Sequence, residues 1–153
     1  MKQISILYNP LINDEQKQLA ATLSSVLKKN NYGTELLPIR TEAETEQFLL
    51  STNPETCQLI LSINMAGYNL LNTDTTPALN HLLTNIVNYI NLSPDIFSYL
   101  FNMRMNFTMS FLFDSVENAE YVKNHHPHIR NVFGTSSIED FLPVYLEELD
   151  WRF

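Results

Sequence analysis

Cysteine occurs once and glycine three times in this chain of 153 residues. A single cysteine, Cys57, can form no internal disulfide, so the fold needs no oxidising compartment and a cytoplasmic location is expected. Cys57 opens the apolar run Cys57-Gln58-Leu59-Ile60-Leu61-Ser62-Ile63 and reads as a small buried hydrophobe, with a reactive thiol as the alternative. The glycines, Gly33, Gly67 and Gly134, leave no G-x-G-x-x-G after the first strand and no G-x-x-x-x-G-K-[ST] anywhere. A close backbone cradle for a pyrophosphate is therefore not expected, and no cofactor is implied. Cations are also scarce: nine Lys and Arg stand against 17 Asp and Glu, a net charge of −8. Such a surface repels phosphate backbones, and the longest basic feature, Lys28-Lys29, reads as a solvated helix end, so nucleic acid is not an expected partner. Met1-Lys2 leads into only a few apolar residues before Asn9-Pro10, unlike a signal peptide, and no apolar run approaches the roughly 20 residues of a membrane span.

What is present is a globular core. Hydrophobic residues make up 44% of the chain, including nine Phe and seven Tyr, and the length suits one domain over residues 1–153. Short apolar runs bounded by Asn, Pro, Gly or Asp predict strands at Ile4–Tyr8, Thr34–Ile39, Leu59–Ile63, Ile86–Ile90, Phe107–Phe113 and Ile129–Phe133. Helical spacing fills the intervals. Leu19, Ala20, Leu23, Val26 and Leu27 form one stripe, and Thr41 with Glu44 forms a capping box. Further helices are expected from Pro77 to Leu83, from Ser93 to Met103, and from Ser115 to Val122, with a last one from Ser136 or Ser137 through Leu149 that Pro143 bends or restarts. This alternation predicts an α/β fold: a doubly wound, mostly parallel, Rossmann-like sheet of five or six strands with helices on both faces. Leu59–Ile63 and Phe107–Phe113, apolar throughout, are expected at its centre.

In such sheets ligands bind beyond the carboxyl ends of the strands. That rule selects Asn9, Asn64 to Asn69, Asn91, Asp114 and Thr135. Strand three ends in Asn64 rather than an acid, which disfavours a phospho-acceptor site. Asp114, at the end of Phe111-Leu112-Phe113, is a candidate base or hydroxyl binder, with a cap for the helix that follows as the alternative. Arg104 is a candidate anion clamp or a plain surface charge. His125, His126 and His128 cluster without a second spaced pair of ligands and read as a solvated loop, so no metal site is expected; His81 reads as packed or exposed. The polar stretch from Asn64 to Thr76 is either an exposed connection or the wall of a site. The ligand-binding residues expected at the sheet edge are Asn9, Asn64, Gly67, Tyr68 and Asp114, with Gly67 allowing close approach and Tyr68 offering an apolar face with a polar tip. No catalytic residue is assigned.

The order of elements also carries a resemblance. The strand Leu59 to Ile63 with its loop, Ile86-Val87-Asn88-Tyr89-Ile90 before the Ser93 to Met103 helix, the strand ending in Asp114 before Tyr121-Val122-Lys123, and His126-Pro127-His128-Ile129 leading into Val132-Phe133 resemble the amino-terminal half of CgeB-like spore-protein glycosyltransferases. The resemblance implies a GT-B half that handles the acceptor, while a second half binds the nucleotide sugar. With the chain ending at Phe153, the expectation is a domain that binds a glycan or polar small molecule and is not active alone, being either a free-standing binder or a part missing its catalytic domain. The other expectation is a protein-interaction module in which Trp151 and Phe153 help form a homo-oligomer or docking contact.

Overall fold

The structure, a computed structural model, describes residues 2–52 and 59–149. Cys57, Trp151 and Phe153 lie outside the described residues. Six strands form one sheet: β1 (Lys2–Tyr8), β2 (Tyr32–Pro38), β3 (Leu59–Ile63), β4 (Asn85–Ile90), β5 (Met109–Phe113) and β6 (Val132–Gly134). Their order is β2-β1-β3-β4-β5-β6 and every neighbouring pair is parallel. The chain is thus an α/β protein with a Rossmann-like fold, and its strand order reverses between β1 and β3. Both β3 and β5 lie inside the sheet and are buried at all five positions, as their unbroken apolar sequences require.

Helices α1 (Glu15–Lys29) and α5 (Ile138–Glu148) cover one face. Ala20, Leu23 and Leu27 recur at three- and four-residue spacing on α1 and pack with Leu142 and Leu146 of α5 onto Ile4, Ile6, Leu61, Val87 and Leu112. Each fully buried leucine in that layer contributes roughly 2 kcal/mol of transfer free energy. The other face is covered by α2 (Glu42–Ser51), α3 (Ser98–Phe101), α4 (Val116–His125) and an irregular crossover between β3 and β4. Phe101 is the centre of that layer, meeting Phe97, Phe111 and Phe113 edge-on at centroid distances of 6.4, 6.0 and 6.2 Å.

Several expected boundaries move. Strand β5 begins at Met109 rather than Phe107, because Asn106 is held in a turn against the Asn80 backbone and side chain, which leaves Phe107 78% exposed. Strand β6 begins at Val132 rather than Ile129, since Ile129 closes a turn onto the His126 carbonyl and Asn131 takes a positive φ of 57°. The expected helix from Pro77 to Leu83 is a single 3-10 turn, Ala78–His81, and that from Ser93 to Met103 divides into a 3-10 turn, Pro94–Phe97, and the short α3. Pro143 does not restart α5, which runs continuously from Ile138 to Glu148.

Candidate functional site

The carboxyl ends of the strands carry a row of polar residues, four uncharged and one acidic. Asn9 follows β1, Asn64 follows β3, Asn91 follows β4, Asp114 follows β5 and Thr135 follows β6. Continued sheet hydrogen bonds hold the row in line: Asn64 N–H donates to the Tyr89 carbonyl at 2.8 Å, Asp114 N–H to Ile90 at 3.2 Å and Thr135 N–H to Phe113 at 3.0 Å.

Asn64 is the hub. It is 2% exposed, and its amide nitrogen donates to Gln16 Oε1 at 2.9 Å and to Asn91 Oδ1 at 2.8 Å. Its Oδ1 accepts from the backbone N–H groups of Asn91 at 3.0 Å and Leu92 at 3.3 Å. One side chain thereby ties the first turn of α1 to the loops after β3 and β4, on either side of the strand reversal. Gln16 in turn donates to Asn13 Oδ1 at 3.2 Å, which also accepts from Glu15 N–H at 3.1 Å. Asn64 and Met65 both take left-handed φ values, 50° and 61°, costly for methionine and tolerated by asparagine. The Ser62 hydroxyl, donating to the Ala66 carbonyl at 2.7 Å, helps hold this reversal.

Of the five residues expected to bind a ligand, the structure leaves Asn9 and Asp114 half-buried at the edge and Asn64 buried as the hub. Asn9 Oδ1 accepts from Leu11 N–H at 2.9 Å, and its amide nitrogen makes no hydrogen bond with described residues. Asp114 Oδ1 accepts from Asn118 Nδ2 at 3.1 Å, leaving Oδ2 open. Asp114 does not cap α4: Ser115 does, accepting from Asn118 N–H at 3.0 Å. Beside it Tyr89 has its phenol pushed up to about 12, first by burial and then by the Asp114 carboxylate.

Gly67 and Tyr68 are placed in the core instead. Gly67 is buried with φ 94°, and an added Cβ would stand 3.1 Å from Leu79 Cδ1 and 3.2 Å from Leu7 Cδ1, so its lack of a side chain serves packing. Tyr68 is 2% exposed, its hydroxyl 3.5 Å from the Met109 sulfur, and burial drives its phenol far above the ordinary value while Asn88 beside it pulls the other way. The stretch from Asn64 to Thr76 belongs to the crossover layer: Met65, Ala66 and Tyr68 pack under the sheet, and Leu71 bridges to Pro77. The sequence reading did not select Gln16, whose signal was a polar residue on the same helix face as Ala20, Leu23 and Leu27, or Asn118, which orients Asp114.

His126 is buried with Nδ1 unpartnered, 5.5 Å from the Phe101 ring and 6.1 Å from His128. His125 lies apart, stacked on Tyr121 at 4.0 Å. Among the described residues no three His, Cys, Asp or Glu side chains are grouped to hold a metal, and no helix is long and apolar enough to cross a membrane. Compared with protein-family models, curated proteins and solved structures, the chain matches none.

Proposed function

We propose that this domain binds an uncharged glycan laid along the carboxyl crest of the sheet, as the acceptor-side half of a GT-B glycosyltransferase would. The supporting observation is the row Asn9, Asn91 and Asp114 with open amide and carboxylate groups, Asn91 held from behind by Asn64, Asp114 by Asn118, and Asn9 by the Leu11 N–H of its own turn. Asn9 and Asp114 follow strands three places apart in the sheet, roughly 14 Å at the usual strand spacing. That span exceeds one sugar ring and suits two or three. Amides and a single carboxylate complement hydroxyl groups, which both donate and accept, better than they complement phosphate. Donor chemistry is assigned to another polypeptide region, because the crest has no glycine-rich cradle for a nucleotide sugar.

The test is a titration of the protein with glucose, maltose and maltotriose, followed by amide chemical shifts of Asn9, Asn91 and Asp114. Affinity that rises with chain length supports the reading, and Asp114→Asn weakens it while unfolding at an unchanged urea concentration. Binding that is absent for all three sugars, or independent of length, refutes it. A second reading, an oligomerisation module, is favoured by the aromatic group at the β6 edge, where Phe133, Phe141 and Tyr145 lie 5.3–6.2 Å apart with Phe133 partly exposed. Sedimentation equilibrium of wild type and Phe133→Ser decides it: a dimer that the substitution dissolves supports the module, and a monomer in both refutes it.

A further inference from the structure

An interior strand of a doubly wound sheet is expected to be apolar on both faces, and β1 is so on only one. Toward α1 it sends Ile4, Ile6 and Tyr8, all buried. Toward α2 it sends Gln3 and Ser5 before the apolar Leu7, and the neighbouring strand β2 sets Glu35 beside Ser5 and Leu37 beside Leu7. Helix α2 meets this polar floor with only Thr45 and Phe48 buried. A cleft of about 560 Å³ separates the helix from the sheet. Its apolar wall is Leu37, Ile39 and Phe48; its floor holds the Ser5 hydroxyl and the Glu35 carboxylate, neither of which makes a hydrogen bond or ion pair with described residues. Arg40 does not neutralise the floor, since it is bound to Glu44 at 3.0 Å. Glu35 stands exposed on the edge strand β2 and Ser5 is half-buried beside it, so a ligand entering the cleft from solvent reaches both together with the apolar wall.

We infer that this cleft is a binding site for a small organic cation, a primary ammonium with a short alkyl stem. The ammonium donates to Glu35 and Ser5, and the stem lies against Leu37, Ile39 and Phe48. The two carboxylates lining the cleft, Glu35 and Glu44, and the net charge of −8 oppose an anionic ligand. The unpaired carboxylate beside an apolar wall distinguishes an ammonium from a neutral polyol, whose hydroxyls would leave the wall unused. The site does not depend on the glycan reading, because it shares no residue with the crest.

The experiment titrates the protein with 1,4-diaminobutane and, in parallel, with 1,4-butanediol, reading the amide shifts of Ser5, Glu35 and Phe48. The diamine is expected to give saturable shifts at these positions and the diol none. Glu35→Gln should weaken diamine binding about tenfold, the equivalent of one charge-assisted hydrogen bond. Glu46→Gln, on the exposed side of the same helix and outside the cleft, should leave it unchanged. Equal weakening by both substitutions shows diffuse attraction to an acidic surface and overturns the inference, as do equal shifts with the diol or the absence of saturable shifts with the diamine.

Discussion

Replacing Asn64 with alanine removes four hydrogen bonds from one buried point, two donated and two accepted. Gln16 Oε1 is the group most harmed, because Gln16 is only 1% exposed and water cannot readily replace its lost donor. A buried acceptor left without a partner costs about 1–3 kcal/mol, and the partly exposed N–H groups of Asn91 and Leu92 lose about 1 kcal/mol between them. Alanine also tolerates the left-handed φ of 50° less well than asparagine, by about 1 kcal/mol. The expected destabilisation is about 4 kcal/mol, a large share of the 5–15 kcal/mol typical of a domain. In urea, with a slope of about 2 kcal/mol per molar, the midpoint should fall by about 2 M. Asn64→Gly separates the two causes: glycine removes the backbone cost and not the lost hydrogen bonds, so it should recover about 1 kcal/mol. Asn64→Asp keeps the φ tolerance and the acceptor and should lie between wild type and alanine. A loss below 1 kcal/mol for Asn64→Ala, or a full recovery by glycine, would refute the role of Asn64 as the tie between α1, β3 and β4.

Gly134→Ala should destabilise by about 3 kcal/mol, since its Cβ would stand 2.5 Å from the Ser115 carbonyl oxygen and 2.7 Å from Val116 Cα, backbone atoms that cannot swing aside; urea unfolding checks the loss, and hydrogen exchange should show it centred on α4 and β6. Tyr68→Phe should cost less than about 1 kcal/mol and leave sugar binding unchanged, whereas Tyr68→Ala should cost about 3–5 kcal/mol, which denaturation and the sugar titration together measure. His126 is held below the ordinary imidazole value by burial and then by His128 and His125, so the folded state binds fewer protons than the unfolded chain as pH falls through the unfolded value near 6.5. Its contribution to stability is therefore complete above that pH and lost below it, and His126→Phe should show a shallower decline than wild type in urea midpoints measured between pH 7.5 and 5.5.

Continuous apolar runs made the interior of the sheet legible. Leu59–Ile63 has no polar side chain larger than serine, so a strand buried on both faces was the direct reading, and the structure buries it at every position. The edges of elements were less legible where a side chain from far along the chain decides them. Phe107 looks like a strand residue beside Met109 and Phe111, yet Asn80, 26 residues before Asn106, holds the turn that excludes it. In the crossover from Asn64 to Leu82, the stretch from Asn64 to Thr76 reads as an exposed connection or the wall of a site because its Asn, Thr and Gly content is that of loops, and Pro77 to Leu83 reads as a helix. The buried residues of the crossover, Met65, Ala66, Tyr68, Leu79 and Leu82, are interspersed without helical or strand period, and periodicity was the only signal available.

The same limit governs the crest. Strand ends located Asn9, Asn64, Asn91 and Asp114 correctly on one edge, because a parallel sheet must bring successive carboxyl ends together. Sequence position alone could not divide that set by task, since Asn64 and Asn91 are the same residue type at equivalent strand ends. The division follows from the strand order. Asn64 ends the strand next to the reversal, where the α1 turn carrying Gln16 lies on one side and the β4 loop on the other, so its amide has partners in both directions and is consumed by them. Asn9 has only its own turn to accept from, and Asn91 has only Asn64, so each keeps an amide N–H₂ open to solvent. Under the proposed glycan reading, Asn9 and Asn91 contact the ligand, and Asn64 supports Asn91 from behind. Asn9→Ala and Asn91→Ala should accordingly weaken maltotriose binding with losses of stability below about 1 kcal/mol, in contrast to Asn64→Ala, and equal losses of stability for all three would show that the crest serves folding alone.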